Sequence, residues 1–201
     1  GATPAAGLEQ VLGIPILEVY GMSECTGPST ISIPERYRTG KAGYALPGSE
    51  IAIAEDGEIL MRGPHVFLGY YKNPDATAET KDAEGWLHSG DIGTLDADGF
   101  LSVTDRKKEL IVTSGGKNIG PAGLEAQLKQ IPIVAQAVVI GDRRNYLSAL
   151  FVLDLGWLQN NAAALGSAAT DLATSATCPR LKAHLQGELE RINQRWARYE
   201  Q

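Results

Sequence analysis

The chain has 201 residues, of which 43% are hydrophobic and 21% charged, and these globular proportions exclude collagen, low-complexity disorder and coiled coil. A formal net charge of −6 argues against a nucleic-acid binder that holds its ligand by phosphate contacts. The two cysteines are too few for a disulfide framework, and no apolar run approaches the roughly 20 residues of a membrane span. We therefore expect a mixed α/β protein of the cytoplasm.

The first half of the chain has the pattern of short strands. A short helix leads into a buried strand predicted over 14–20, and a loop crowded with Gly, Ser and Thr follows at 21–30. Alternating apolar residues and turn signals then predict an antiparallel β unit. Its elements are a hairpin over 51–61, a helix over 74–81 that begins with Asn73 as N-cap and Pro74 at the first position, and a hairpin over 92–103.

The second half begins after a charged cluster at 105–109, and we place a domain boundary there, between 106 and 107. The later elements are a helix that opens at Pro121 and keeps its apolar face to Ile131, strands over 137–140 and 147–153, and a final helix from Pro179. One face of the final helix holds Leu181, Leu185, Leu189, Ile192, Trp196 and Tyr199. Residues 160–178 are rich in alanine and weakly patterned, which favours a mobile insertion.

Two polar segments are candidates for binding chemistry. The loop at 20–27 places backbone N–H groups, hydroxyl oxygens and the Glu24 carboxylate at the end of a predicted strand, where open α/β sheets bind ligands. Asp91 follows a glycine at a predicted strand start, so its two acceptor oxygens suit a diol such as a ribose. Taken alone, each has an ordinary alternative, which is a polar loop that satisfies its own backbone or an Asx turn.

Four motifs in a fixed order connect these segments. Tyr-Gly-Met-Ser-Glu at 20–24 resembles the Tyr-Gly-x-[Ser/Thr]-Glu motif of the adenylate-forming superfamily, which includes acyl-CoA synthetases, luciferases and peptide-synthetase adenylation domains. Residues 57–74 resemble its next motif, 85–93 its [Ser/Thr]-Gly-Asp motif, and 105–119 its hinge and the loop that follows. Within the superfamily, the motifs are most similar to those of the long-chain fatty-acid–CoA ligases.

The resemblance implies an α/β (α+β) fold in two parts. Residues 1–106 would be the C-terminal part of the large AMP-binding domain, with the strand and loop of the nucleotide site at 1–35 and a β-rich subdomain at 36–106. Residues 107–201 would be most of a mobile, small α+β C-terminal domain. The family's phosphate loop and C-terminal lysine are missing from this sequence, so we expect a fragment that has no detectable ligase activity alone.

The implied reaction has two steps and takes a fatty acid, ATP with Mg²⁺, and coenzyme A. A fatty carboxylate attacks the α-phosphate of ATP to give an acyl-adenylate and pyrophosphate, and the coenzyme A thiol then displaces AMP. By resemblance, Tyr20 would stack on adenine beside the backbone of Gly21 and Met22. The Ser23 hydroxyl would hydrogen-bond the α-phosphate. The first step needs no base because a carboxylate is already ionised at neutral pH.

Five further residues receive roles from the resemblance. Glu24 would hold Mg²⁺, Asp91 would accept both ribose hydroxyls, and Arg106 would reach the ribose or a phosphate with its planar fork of donors. Lys108 would occupy the hinge, and Lys117 would lie beside the pantetheine arm of coenzyme A. For each there is a structural alternative, for example a loop ion pair at Glu24 or a solvated surface charge at Lys108.

Two alternative functions stay open at this point. The first is a non-catalytic module that binds a nucleotide or a partner, which the missing phosphate loop and lysine favour. The second is a ligase for an aryl or medium-chain acid. The joint presence of Tyr20, Glu24, Asp91 and Arg106 favours an enzyme, because a pure scaffold does not need all four.

Overall fold

The computed structural model describes residues 8–9, 11–169 and 171–196, and its backbone contacts separate into two units, 1–108 and 109–201. The boundary predicted from the charged cluster lies two residues earlier. Both units combine helices with antiparallel sheets, so the mixed α+β fold class is confirmed.

The first unit begins with a three-stranded antiparallel sheet. Its strands are β1 (Val19–Met22), β2 (Gly27–Ile31) and β3 (Tyr44–Ala45), and a 3-10 turn at Ser23–Cys25 joins the first two. Residues 8–9 and 11–12 are helical, as predicted. The loop predicted at 21–30 is wrong in its second half, because β2 forms there.

The buried strand predicted over 14–20 is also wrong. Regular pairing starts only at Val19, and the side chains of Ile14 and Val19 are both 56% exposed. Gly13 has a φ of 68° and Pro15 carries no amide hydrogen, so the backbone cannot continue a ladder into this stretch. Within β1 only Tyr20 and Met22 pack against the apolar cluster of this unit.

A four-stranded antiparallel sheet forms the rest of the first unit. Its strands, in spatial order, are β4 (Glu50–Ile53), β5 (Glu58–Arg62), β6 (Leu87–Leu95) and β7 (Leu101–Arg106). Both predicted hairpins are confirmed, and the turn-flanking pairs include Ile51 with Met61 and Leu95 with Leu101. Helix α1 (Pro74–Thr80) begins as predicted, since the Asn73 side chain accepts from the amide of Ala76.

The second unit combines helices with two separate two-stranded sheets. Its elements are a 3-10 turn at Lys107–Glu109 that crosses the boundary, β8 (Ile111–Val112) paired with β9 (Asn118–Ile119), α2 (Pro121–Leu128), β10 (Val134–Ile140) paired with β11 (Ser148–Leu153), α3 (Leu155–Asn161), a 3-10 turn at Ala162–Leu165, α4 (Leu172–Thr177) and α5 (Pro179–Asn193). Helix α2 ends three residues before Ile131, because Pro132 disfavours a helical residue ahead of it. Ile131 is nevertheless buried, as its apolar spacing suggested.

The weakly patterned insertion predicted over 160–178 contains regular structure. This stretch contains the end of α3, a 3-10 turn and α4, and small residues from it enter the core, with Ala162 2% and Ser175 1% exposed. Helix α5 then packs Leu181, Leu185, Leu189 and Ile192 of its predicted face on the same cluster. The helix ends at Asn193, so Trp196 reaches the cluster from the turn that follows and not from the helix. Tyr199, the last member of that face, lies outside the described residues. Among the residues described, no helix combines the length and apolarity needed to cross a bilayer.

Candidate active site

Three predicted site residues meet at one carboxylate. The phenol of Tyr20 on β1 donates to Oδ2 of Asp91 on β6 at 2.8 Å, and Arg106 Nε lies 2.9 Å from Asp91 Oδ1. The Asp91 side chain is 13% exposed, whereas that of Arg106 is 68% exposed. Residues from three separate motifs thus surround a nearly buried carboxylate with two donors and leave a guanidinium open to solvent.

The β6–β7 pairing explains why Asp91 and Arg106 meet. They are direct partners in the antiparallel register, and a bulge between Ile92 and Gly93 follows at once. The prediction that Asp91 follows Gly90 at a strand start is wrong. Strand β6 already starts at Leu87, so Asp91 lies inside it. Its carboxylate contacts come from residues that are distant in sequence, which a local Asx turn does not require.

Tyr20 is held in its neutral form by this environment. Burial raises the pKa of the phenol well above its ordinary value, and the neighbouring Asp91 carboxylate raises the pKa further, against a hydrogen bond with Ser89 that lowers it. A neutral phenol keeps its proton for donation to Asp91.

A cleft of about 610 Å³ lies along β1 and the turn after it. Tyr20, Gly21, Met22 and Ser23 line it together, so four predicted nucleotide-binding residues share one surface. Gly21 is required here because a Cβ at this position would lie 2.1 Å from the carbonyl oxygen of Gly27 across the β1–β2 bulge. The close approach of the two strands brings the Ser23 turn to the mouth of the cleft.

Glu24 offers a partly exposed carboxylate in the same turn. Its Oε1 accepts a hydrogen bond of 2.6 Å from the Tyr70 hydroxyl, and this contact raises the pKa of Tyr70. Within the described part of the chain, no three His, Cys, Asp or Glu side chains converge on a metal position. The donor chemistry of Glu24 fits Mg²⁺, which typically takes one or two protein carboxylates together with substrate phosphates.

The two predicted lysines lie in different units. Lys108 is exposed and is the last residue of the first unit, where it lines a cavity of about 380 Å³ with Met22 and Arg106. Lys117 is exposed in the turn between β8 and β9 of the second unit, and its backbone amide donates to Thr113 Oγ1 at 3.2 Å.

Glu58 is a buried residue beside this site that the sequence did not indicate. Its side chain is 5% exposed and takes hydrogen bonds from the Gly90 amide at 2.9 Å and from Lys107 Nζ at 2.8 Å, with His88 Nδ1 3.0 Å away. Burial alone would raise the pKa of this carboxyl, but the donors from Lys107, His88 and Gly90 outweigh it and hold the pKa below its usual value. A glutamate after a turn glycine resembles an exposed strand start, so the sequence carries little signal of this burial.

The comparisons with known proteins agree with the motif order. Residues 2–71 match the family model of the AMP-binding enzyme, and residues 108–173 match that of the AMP-binding enzyme C-terminal domain. The long-chain-fatty-acid–CoA ligase FadD15 of Mycobacterium bovis is 44% identical over 185 residues, which are 90% of this chain and 30% of that protein. The long-chain-fatty-acid–CoA ligase ACSBG2 of Xenopus laevis is 49% identical over 148 residues, which are 71% of this chain and 20% of that protein.

One solved structure is similar to this chain in fold and sequence. The o-succinylbenzoate–CoA synthetase of Bacillus subtilis, in complex with ATP and magnesium ion, superposes with a TM-score of 0.64 at 36% identity, covering 76% of this chain and 35% of that one. The chain spans 20–30% of the length of the two ligases above. With one model matching in each unit and the motifs in family order, the chain belongs to the AMP-binding enzymes, the adenylate-forming superfamily.

Proposed function

We propose that the chain supplies the ribose-binding and hinge-bearing part of a long-chain fatty-acid–CoA ligase. The observation that carries the proposal is the convergence of Tyr20 and Arg106 on Asp91 in a chain that is 44–49% identical to proteins named as such ligases. In the reaction, a fatty carboxylate oxygen bonds to the α-phosphorus of ATP and pyrophosphate leaves. The coenzyme A sulfur then bonds to the acyl carbon, the thiol proton is released and AMP leaves.

Asp91 binds the ribose in this proposal. Each carboxylate oxygen carries two lone pairs, so Asp91 keeps acceptor positions for both ribose hydroxyls while it accepts from Tyr20 and Arg106. The two donors also keep the carboxylate oriented before the nucleotide arrives. This preorganisation reduces the ordering that binding itself must supply.

The remaining first-unit residues act on the base and the phosphates. The Tyr20 ring stacks on adenine, the Ser23 hydroxyl donates to the α-phosphate, and the exposed Arg106 guanidinium reaches a phosphate or the ribose. Glu24 would hold Mg²⁺, whose charge offsets that of the phosphate oxygens. The first step needs no general base, because the fatty carboxylate is already ionised at neutral pH, and so it depends on positioning and charge neutralisation.

The thioester step assigns roles to the two lysines. We place the hinge at Lys108, where a few backbone dihedrals would absorb the change between the two steps. Lys117 supplies a mobile point charge on a long flexible side chain, which suits contact with coenzyme A. The amino-acid similarity to long-chain ligases supports a fatty acid as the acyl substrate.

The ribose site is tested by titrating AMP into the chain in a calorimeter. We expect Asp91→Ala to weaken AMP binding about 10-fold or more, because two hydrogen bonds to a charged acceptor are lost. The matched control is Asp98→Ala, which removes an exposed aspartate paired with Arg38 at the β6–β7 turn. Equal AMP affinity in Asp91→Ala and the unaltered chain would remove the ribose site from the proposal.

A further inference from the structure

The Glu58 carboxylate bridges the two parts of the chain that carry the proposed ribose site. Its Oε1 accepts from the amide of Gly90, the residue before Asp91, at 2.9 Å. Its Oε2 accepts from Nζ of Lys107, the residue after Arg106, at 2.8 Å. One buried side chain thus bonds the backbone of Gly90 and the side chain of Lys107, the two residues next to the Asp91–Arg106 pair at one of its ends.

Glu58 lies at an irregular point of the sheet, where the strand ladder itself does not hold the residues before Asp91. The β5–β6 register shifts between Glu58 and Leu60, so the ladder is irregular opposite residues 88–92. Gly90 has a φ of 72° in this stretch, a conformation that turns its amide out of the regular strand direction. The Glu58 carboxylate meets that amide at the bulge and holds the residues that lead into Asp91.

Further charged groups surround the Glu58 carboxylate and the Lys107 ammonium at this end of the pair. Lys107 Nζ also lies 2.7 Å from Asp56 Oδ2, and His88 Nδ1 lies 3.0 Å from Glu58 Oε2. The contacts with Asp56 and Glu58 raise the pKa of Lys107, so the ion pairs persist at neutral pH. A buried carboxylate is costly for a fold unless it is fully paired, and a hydrophobic residue of similar size is often no less stabilising. A role beyond stability therefore accounts better for a glutamate here.

We propose that Glu58 is a positioning residue for the ribose diol. It fixes Asp91 through Gly90 and Arg106 through Lys107, so that both donor and acceptor groups meet the two hydroxyls in one geometry. The inference rests on the proposed function of Asp91, and it assigns to Glu58 no contact with the nucleotide.

The test compares AMP with 2′,3′-dideoxy-AMP, which lacks both ribose hydroxyls. If Glu58 acts through Asp91, Glu58→Gln lowers the affinity for AMP about 10-fold and leaves the affinity for the dideoxy nucleotide unchanged. The ratio of the two affinities therefore falls about 10-fold. Glu50→Gln is the control, because it removes another strand glutamate that pairs with Arg62 in the same sheet, away from Asp91.

A spectroscopic readout follows the proposed path without any nucleotide. We expect the Gly90 amide proton resonance to move upfield in Glu58→Gln and to lose its shift on acid titration, because the charged acceptor is gone. Lys107→Gln, a substitution at a side chain 42% exposed, supplies a second variant if Glu58→Gln does not fold. Lys107→Gln should also lower the ratio of the affinity for AMP to that for the dideoxy nucleotide.

The outcomes separate the two claims. If the unaltered chain prefers AMP to the dideoxy nucleotide and Glu58→Gln shows the same ratio of affinities, the inference is overturned. The proposed ribose site then still stands. Equal losses for both nucleotides in Glu58→Gln also overturn it, since they indicate general damage to the site. If the unaltered chain does not distinguish AMP from the dideoxy nucleotide, the proposed ribose site fails and the inference fails with it.

Discussion

The hydrogen-bond partner of the Tyr20 phenol, Asp91, is 71 positions away in the sequence. The motif order singled out Tyr20, Asp91 and Arg106 as separate polar candidates, but only the β6–β7 register and the 2.8 Å phenol contact show that they share one carboxylate. Glu58 was missed for the same reason. Its partners Gly90 and Lys107 are 32 and 49 residues away, and nothing in the local pattern around a strand start reports such contacts.

The raised pKa of Tyr20 predicts a pH effect that can be measured. Because the folded chain holds this proton above the ordinary phenol pKa of about 10, the unfolded chain releases it first and the free energy of unfolding falls as pH rises further. We expect Tyr20→Phe to remove one of the seven tyrosines from the alkaline end of the absorbance titration and to make this fall less steep.

The control for that titration is the denatured chain. In denaturant, the tyrosine that Tyr20→Phe removes should titrate at the ordinary phenol pKa. If Tyr20→Phe removes a phenol that titrates near that ordinary value in the folded chain as well, burial of Tyr20 against Asp91 is wrong.

Elements with a strong period were predictable, and elements built on small residues were not. The two hairpins of the first unit alternate with period two around Gly-containing turns, and both formed where they were predicted. Residues 160–178 enter the core through alanine and serine, including Ala162, Ala169 and Ser175. Such side chains leave no hydrophobic periodicity in a sequence, so the packed helix α4 looked like an insertion.

Helix α4 offers a test of that packing. Ser175 is 1% exposed, and its hydroxyl finds no hydrogen-bond partner among the residues that the structure describes. We expect Ser175→Ala to raise the free energy of unfolding by about 1 kcal/mol, because an unsatisfied buried hydroxyl is removed. Chemical denaturation monitored by circular dichroism measures the change.

The control for Ser175 lies next to it on the same helix. Thr174 is exposed and its hydroxyl donates to the Asp171 carboxylate at the helix start, so Thr174→Ala should lower stability slightly. A loss of stability in Ser175→Ala of the same size as in Thr174→Ala would show that residue 175 is not buried as described.

At the scale of the whole molecule, each unit has its own core. Ile59, Met61 and Leu87 belong to the cluster of the first unit, and Leu158 and Leu181 to that of the second. The contacts of Asp91 with Tyr20 and Arg106 lie within 1–108, whereas Lys117 belongs to 109–201. The proposed two-step reaction therefore draws the ribose site from one unit and the coenzyme A contact from the other.

The direct test of the ligase proposal is a segment exchange. This chain replaces the corresponding 30% of the Mycobacterium bovis ligase, and the folded chimera is assayed for palmitoyl-CoA formed from palmitate, ATP, Mg²⁺ and coenzyme A. The account predicts activity in the chimera, retained with Asp98→Ala and reduced about 10-fold or more with Asp91→Ala. A folded chimera that binds AMP but forms no palmitoyl-CoA, or that is indifferent to Asp91→Ala, would contradict it.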